Sequence, residues 1–314
     1  MERHQVVCYL SAILVGALLG FGVPSAGTVL SNVITPALAA LLYVTFLQVP
    51  ARSLVSALRD VRFLGAVLVV NFAVVPLVVA AMYAFMPDDQ ALRFGMLLVL
   101  LCPCVDYVIV FTGLAGGDNV RLLASTPVLL IVQMAVLPLL LTAFLGADLA
   151  AVIDAGPFLE AVVALIAIPL AAAWGTQWWS GRHRSGQQFS AGVSNAMVPL
   201  MMIVLAVVVA SEISAIGDAV SQVLRAIGFY VVFLVVMAPA GVVIGRLFGL
   251  SVSSVRATAF SGATRNSLVV LPLALALPPG FEVAAVAVVA QTLVEVIGMV
   301  TYVRLIPLLA PARR

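Results

Sequence analysis

The residues best suited to chemistry in this chain are three ionisable side chains and two thiols inside apolar segments. Asp106, Arg265 and Glu295 each interrupt a hydrophobic run, and Cys102 and Cys104 flank a single proline just before Asp106. A charge at the centre of a membrane helix costs about 2.5–3.5 kcal/mol on insertion scales, so it normally faces the protein interior and marks an ion or substrate pathway. These five residues are therefore the first candidates for a functional site.

The two thiols are candidate ligands for a soft ion. On an intact helix Cys102 and Cys104 would point roughly 200° apart, so they bind one ion together only if the proline between them unwinds the helix. Two cysteines without a neighbouring histidine do not make a zinc site, whereas a trivalent metalloid prefers thiolate to oxygen ligands. The alternative is that both are small buried hydrophobic residues, like Cys8 in the first apolar run.

The ionisable residues suggest a pair and a proton carrier. Asp106 and Arg265 lie in different segments and bear opposite charges, so pairing would compensate both if the segments cross. Glu295 has no basic residue within a helical turn, a setting that suits proton exchange; the alternative is a neutral carboxyl hydrogen-bonded to a neighbouring helix. Arg304 lies near a segment end and can extend to the membrane surface, which is a structural role.

The composition predicts an all-α polytopic membrane protein. Of 314 residues, 64% are hydrophobic and only 9% charged, whereas soluble domains carry roughly 25% charged residues. This excludes an ordinary soluble enzyme and a disordered chain, and three cysteines do not form a disulfide framework. All basic residues are arginines and none cluster, so no nucleic-acid partner is expected.

Ten apolar runs are long enough to cross a bilayer, which predicts ten transmembrane helices. They are 6–22, 29–49, 63–86, 94–115, 122–145, 158–179, 196–216, 225–247, 255–277 and 281–308. If the runs alternate, one side receives Arg3, Arg52, Arg59, Arg62, Arg121, Arg182, Arg184, Arg246, Arg256, Arg313 and Arg314, and the other only Arg93 and Arg225. The positive-inside rule then places both termini in the cytoplasm of a multi-pass plasma-membrane protein.

The ten runs divide into two inverted five-helix repeats, 1–150 and 151–314, since an odd number of spans reverses the second half. The fourth run of each repeat is interrupted, by Leu-Cys-Pro-Cys-Val-Asp-Tyr-Val at 101–108 and by Phe-Ser-Gly-Ala-Thr-Arg-Asn-Ser at 260–267. Matched interruptions are the best sequence indication of a midplane binding site. The alternative is two kinked structural helices.

The segment Cys104-Val-Asp-Tyr-Val-Ile-Val-Phe-Thr-Gly-Leu-Ala-Gly-Gly-Asp118 resembles the signature of the arsenite-efflux permeases of the bile acid/sodium symporter superfamily. Asn71 with Pro76, the stretch 260–266 and Leu-Val-Glu-Val at 293–296 are similar to further landmarks of that family. The resemblance implies panel and core subdomains, crossed discontinuous helices 4 and 9, and a proton- or cation-coupled carrier in the bacterial inner membrane.

The resemblance also implies site residues. The functional cysteine and glutamate of the arsenite permeases fall on Cys104, as a ligand of As(III), and on Glu295, with Asn266 beside them in the substrate site. Asp106, Arg265 and Glu295 form the expected ion-pair and coupling group. Further polar candidates are Cys102, Asn71, Thr112, Asp118 and Gln291.

The sequence departs from the family pattern in three segments. Asp106 replaces a small residue, Phe111 and Thr112 replace a tryptophan and asparagine, and the sequence Arg265-Asn266-Ser-Leu replaces paired asparagines with a nearby glutamate. An arginine there puts a fixed positive charge where sodium-coupled relatives bind sodium. The departures argue against sodium coupling and indicate a divergent subgroup.

Two carrier functions remain open from the sequence. One is proton-driven efflux of arsenite or a similar metalloid species, favoured by Cys104; the other is cation-coupled symport of an organic anion, with Arg265 binding a carboxylate. A membrane-embedded enzyme is disfavoured, because the only histidines, His4 and His183, lie at a terminus and in a loop. The expected partners are the lipid bilayer, a small anionic or metalloid substrate, protons or sodium and, in a homodimer, a second copy of the chain; no cofactor is expected.

Overall fold

The computed structural model describes residues 5–22, 26–47, 59–105, 108–152, 167–275 and 277–311. Within these residues the chain is helical, without a β-strand. The first part comprises α1 Gln5–Gly22, α2 Ala26–Leu47, α3 Val61–Val69, a π-helical turn Val70–Val74, α4 Val75–Tyr83, α5 Gln90–Leu100, α6 Val108–Leu114 and α7 Asn119–Val152. The second comprises α8 Ile168–Ser180, α9 Arg184–Asn195, α10 Met197–Leu247, α11 Val252–Ala263, α12 Ser267–Leu275 and α13 Glu282–Leu309.

Several helices begin at the short polar residues that interrupt the apolar runs. Asp89 precedes α5, and its carboxylate accepts the backbone N–H of Leu92 at 2.8 Å. Asp60 accepts from Phe63 at the start of α3 at 3.3 Å. Such caps satisfy backbone donors that have no partner within the helix.

Four stretches of the described residues are long and apolar enough to cross a membrane. They are Val61–Tyr83, Asn119–Gly146, Leu224–Leu247 and Glu282–Leu309. The prediction of an all-helical membrane protein is confirmed for the described residues. The arrangement of ten spans in two inverted repeats stays a prediction.

The two predicted interruptions are real breaks in the helices. The run 94–115 is divided between α5, which ends at Leu100, and α6, which begins at Val108. The run 255–277 is divided between α11, which ends at Ala263, and α12, which begins at Ser267. Asp106 falls in the first break but lies outside the described residues.

No helix end lies at the boundary expected between the runs 196–216 and 225–247. The structure assigns one helix of 51 residues, α10, across this boundary. The sequence from 211 to 225 contains no proline and a single glycine, Gly217. Nothing there removes a backbone donor or favours a turn, so the helical hydrogen bonds continue.

The core lies where α5, α11 and α13 pack together behind the breaks. Every residue from 94 to 105 and from 257 to 267 is buried, as are 14 of the 28 residues of α13. A Cβ atom on Gly95 would collide with the backbone of Ala284, and one on Gly241 would lie 2.5 Å from Cα of Ala259. Small residues therefore let these helices approach closely, as is typical of packing in membranes.

Candidate site at the helix breaks

The two breaks meet and are joined by backbone hydrogen bonds. The N–H of Asn266 donates to the carbonyl of Cys102 at 2.9 Å, and the N–H of Cys104 donates to the carbonyl of Thr264 at 3.2 Å. The two unwound stretches therefore pair in an antiparallel direction, like two very short strands. This pairing satisfies polar groups that would be costly to leave open inside a membrane.

The guanidinium of Arg265 lies between the ends of two half-helices. The residue is completely buried, and its Nη2 donates to the carbonyls of Ser261 and Gly262, both at 2.8 Å. Its Nη1 donates to the carbonyl of Leu100 at 3.3 Å. These carbonyls belong to the last turns of α11 and α5, where a helix has unpaired acceptors and a partial negative charge. One side chain thus compensates both C-terminal ends.

Asn71 completes the surroundings of this guanidinium. Its Oδ1 accepts from Nη2 of Arg265 at 2.7 Å. Its Nδ2 donates to the carbonyl of Val67 and to Oγ of Ser261, both at 2.9 Å, which fixes the orientation of the amide. Asn71 lies in the π-helical turn, an irregularity that is frequent at functional sites.

Glu295 connects α13 to the second break. Its Oε2 accepts the backbone N–H of Arg265 at 2.6 Å and also a hydrogen bond from Nε2 of Gln291. A hydrogen bond of 2.7 Å between the hydroxyls of Thr292 and Ser267 makes a second connection between the same elements. The carboxylate, which is completely buried, therefore acts on the backbone of the broken helix.

The place where the two breaks pair is called the crossing below. Two buried amide atoms at the crossing have no hydrogen-bond partner among the described residues. They are Nδ2 of Asn266, a donor, and Oε1 of Gln291, an acceptor. Asn266 is otherwise used at the start of α12, where its Oδ1 accepts the N–H of Val269 at 3.1 Å. Buried polar groups are normally paired, so these two atoms mark places for a ligand or water.

Most of the predicted site residues come together at the breaks. Cys102, Cys104, Asn71, Arg265, Asn266, Gln291 and Glu295 are all buried there, with both thiols in the first unwound stretch. That stretch is not helical, as the joint use of both thiols requires. The proposed partner of Arg265, Asp106, lies outside the described residues, and that ion pair stays a prediction.

Two predicted residues lie apart from this group. The hydroxyl of Thr112 donates to the carbonyl of Val108 within α6, at 2.7 Å, an ordinary contact within one helix. Asp118 follows α6 and forms an ion pair of 3.3 Å with Arg121. Arg121 also pairs with Asp60 at 3.3 Å, so this second network joins the start of α7 to the start of α3.

Sequence reasoning missed the small polar residues that connect the elements. Ser261 contacts Asn71 and Arg265, and Thr292 contacts Ser267. Their signal was present in the sequence, because hydroxyl residues recur at a helical spacing before the second break and beside Gln291. The described residues contain no group of three or more His, Cys, Asp or Glu side chains that could hold a metal ion.

Comparison with known proteins supports the superfamily level of the resemblance. A family model described as the SBF-like CPA transporter family matches residues 7–308. The match extends over nearly the whole chain and agrees with a bile acid/sodium symporter-like protein. No match was found among curated proteins. Assignment to the arsenite-efflux subgroup stays a prediction.

Proposed function

We propose, because the chain belongs to the SBF-like CPA transporter family, that it is a secondary active transporter exporting arsenite or a related metalloid species in exchange for protons. The observation that carries this proposal is the meeting of the two helix breaks around buried thiols and a buried carboxylate. Broken helices that meet inside a membrane leave backbone and side-chain groups for a substrate at the point of crossing.

The chemistry of the crossing suits a small hydroxylated metalloid. Trivalent arsenic in neutral water is the uncharged arsenous acid, and a thiol can replace one of its hydroxyls, forming an arsenic–sulfur bond and releasing water. Cys104 is the proposed ligand, with Cys102 as a second thiol in the same unwound stretch. The unpartnered donor of Asn266 and acceptor of Gln291 would bind the remaining hydroxyls, which both donate and accept.

Glu295 is the proposed proton carrier. As a carboxylate it accepts the N–H of Arg265 and a hydrogen bond from Gln291; once protonated it has less accepting capacity and gains a donor. Proton binding therefore changes the hydrogen bonds that connect α13 to the second break. When the proton and the substrate bind preferentially to different conformations of the paired breaks, the binding of one changes the affinity for the other.

The geometry favours a metalloid over an organic anion as the substrate. A carboxylate would need the guanidinium of Arg265, whose Nη2 already donates to Asn71, Ser261 and Gly262 at 2.7–2.8 Å. We also propose that the carboxylate of Asp106 pairs with Arg265, since Arg265 lies opposite Pro103 in the bridge between the breaks. A substrate carboxylate would then have to displace either this partner or the contacts that compensate the ends of α11 and α5.

The proposed arrangement has ten spans in two inverted repeats, 1–150 and 151–314, with both termini in the cytoplasm of the plasma membrane. The antiparallel pairing of matched breaks and the arginine distribution support it. Reporter fusions after Asp89 and Arg184 are expected to lie on opposite sides of the membrane. The ten-span arrangement requires the chain to turn back within α10, so a third fusion after Leu250, beyond the end of α10, is expected on the side of Arg184. Agreement of the fusions after Asp89 and Arg184, or a third fusion on the side of Asp89, would contradict this arrangement.

The substrate is tested by arsenite resistance and by arsenite uptake into everted membrane vesicles. The unmodified protein is expected to confer resistance on a sensitive host and to drive uptake when the vesicle lumen is acidic. Cys104→Ser should abolish both at an unchanged membrane level, because oxygen binds trivalent arsenic less strongly than sulfur. The matched control, Cys8→Ser, should change little.

Cys102→Ser distinguishes a site with one thiol from a site with two. Loss of transport in this variant would show that both thiols bind the metalloid, and normal transport would leave Cys104 as the single ligand. Full resistance with Cys104→Ser would remove the thiol from the mechanism. Absence of arsenite uptake by the unmodified protein would overturn the proposed substrate.

A further inference from the structure

An apolar groove lies between α4 and α10, away from the helix breaks. It encloses about 570 Å³. On one side it is lined by Val78 and Met82 of α4 and by Phe85 just beyond that helix. The spacing of four residues places Val78 and Met82 on one face of α4. Phe85 is 79% exposed, so the described chain does not cover this end of the groove.

The facing stripe of α10 has the length of one membrane leaflet. Arg225, Phe229, Val232 and Val236 line the groove at intervals of four, three and four residues, again on one helical face. From first to last they extend about 16 Å at 1.5 Å per residue. Half of a hydrocarbon core of about 30 Å is nearly the same length.

The groove opens on candidate membrane spans and ends at a cation. The stretches Val61–Tyr83 and Leu224–Leu247 both have the length and composition to cross a bilayer. Arg225 is an exposed residue in the first turn of the second stretch and the one charged residue among the groove-lining residues. An apolar groove of leaflet length with a guanidinium at its end is complementary to a phospholipid. The apolar walls fit an acyl chain, and a guanidinium binds phosphate through two parallel hydrogen bonds.

We propose that this groove binds one phospholipid molecule, with an acyl chain between α4 and α10 and the headgroup phosphate on Arg225. The other arginine assigned to the same side of the membrane, Arg93, differs because it pairs with Asp88 at 2.7 Å. Among the described side chains, no carboxylate pairs with Arg225. Its side chain is exposed, so it is accessible to the phosphate of a lipid.

Gly228 provides a way to close the groove without disturbing the helices. It lines the groove between Arg225 and Val232, and a Cβ atom placed on it would meet no atom within 4 Å. A larger side chain at this position therefore occupies the space of the acyl chain. Gly175 of α8 is a matched control, since its Cβ would also meet nothing within 4 Å and it does not line the groove.

The test is native mass spectrometry of the purified full chain, titrated with phosphatidylglycerol and with diacylglycerol of the same acyl chains. The unmodified protein is expected to bind one phosphatidylglycerol at this site and to bind diacylglycerol at least about tenfold more weakly, a difference of about 1.4 kcal/mol. Arg225→Gln should remove the preference for the phosphate. Gly228→Leu should abolish this binding event, and Gly175→Leu should leave it unchanged.

Three results would overturn the proposal. Equal binding of the two lipids by the unmodified protein would remove Arg225 from recognition, and undiminished binding by Gly228→Leu would place the lipid elsewhere. A cross-linked dimer formed through Val232→Cys in the membrane would show that a second copy of the chain covers the groove. None of these measurements depends on arsenite transport, so they are independent of the proposed function.

Discussion

Arg265 and Arg121 each join several elements of the structure, but they do so in opposite surroundings. Arg265 is completely buried, and its guanidinium donates to neutral oxygens of Asn71 and of the ends of α5 and α11. The side chain of Arg121 is 48% exposed and pairs with the carboxylates of Asp60 and Asp118. The buried guanidinium thus contacts fixed carbonyl and amide dipoles, whereas the surface guanidinium contacts two mobile carboxylates.

The surroundings determine how much each arginine contributes to the free energy of folding. An exposed ion pair contributes about 0.2–1 kcal/mol, because water and salt screen it. Removing a buried guanidinium leaves several carbonyls without a donor, each at a cost of about 1–3 kcal/mol. Removing Arg265 should therefore cost more folding free energy than removing Arg121. Four predictions test this order.

The largest effect is expected from Arg265→Ala, which leaves the ends of α5 and α11 uncompensated. Transport and the thermal unfolding temperature in detergent should both fall sharply. Arg265→Lys should be intermediate, because one ammonium keeps the charge but cannot reach both ends as a planar guanidinium does. Millimolar guanidinium ion should restore part of the transport of Arg265→Ala. An alanine variant with normal unfolding and transport would show that the compensation is not needed.

The next largest effect is expected at the proposed pair of Arg265 with Asp106. Asp106→Asn and Arg265→Gln should each cost about 3–5 kcal/mol, since the remaining charge stays buried without its partner. The double variant should recover part of this loss in unfolding and transport. Strictly additive losses would mean that the two side chains do not meet. The exchanged pair, Asp106→Arg with Asp at position 265, tests the same coupling with both charges retained.

A selective effect is expected from Glu295→Gln. The amide oxygen can still accept the N–H of Arg265, so folding should be largely preserved, but the side chain no longer exchanges a proton. Transport by the unmodified protein should respond to a pH gradient and not to sodium, and the variant should lose the response to pH. Glu282→Gln, at the exposed start of the same helix, is the control. Sodium-dependent transport by the unmodified protein would contradict proton coupling.

The smallest effect is expected from Arg121→Gln. The two ion pairs are partly exposed to solvent, so the thermal unfolding temperature should fall only slightly, and the difference should shrink in high salt as screening weakens the pairs. Arg62→Gln, another exposed arginine near the same end of α3, is the reference. A loss as large as that of Arg265→Ala would reverse the comparison between the two regions.

The sequence predicted the breaks more successfully than the contacts around them. Pro103 cannot donate a backbone hydrogen bond, and the run Thr-Arg-Asn-Ser at 264–267 places polar groups in an apolar segment, so both interruptions were visible locally. The partners of Arg265 were not, because Asn71 lies 194 positions away and its approach depends on the π-helical turn. Asn71 was predicted as a polar candidate, but its function as an acceptor for Arg265 depends on tertiary packing.

At α10 the opposite occurred, because the sequence predicted a helix end where the structure has none. Hydrophobicity alone suggested a boundary near Gly217, since charged residues separate two apolar runs. Charge does not end a helix, however, whereas a missing donor or a turn residue does. The lengths of apolar runs therefore predict which residues prefer lipid better than they predict where a helix ends.

The pairing of the two breaks through main-chain atoms has a consequence for evolution. Each of its two hydrogen bonds joins a backbone N–H to a backbone carbonyl, so neither depends on the side chain at that position, except that the two donors must not be proline. Mutations can therefore replace the side chains around the crossing while the crossing itself is inherited. An ion-binding residue can be replaced by an arginine, or a small residue by an aspartate, and the substrate can change while the two backbone hydrogen bonds are retained.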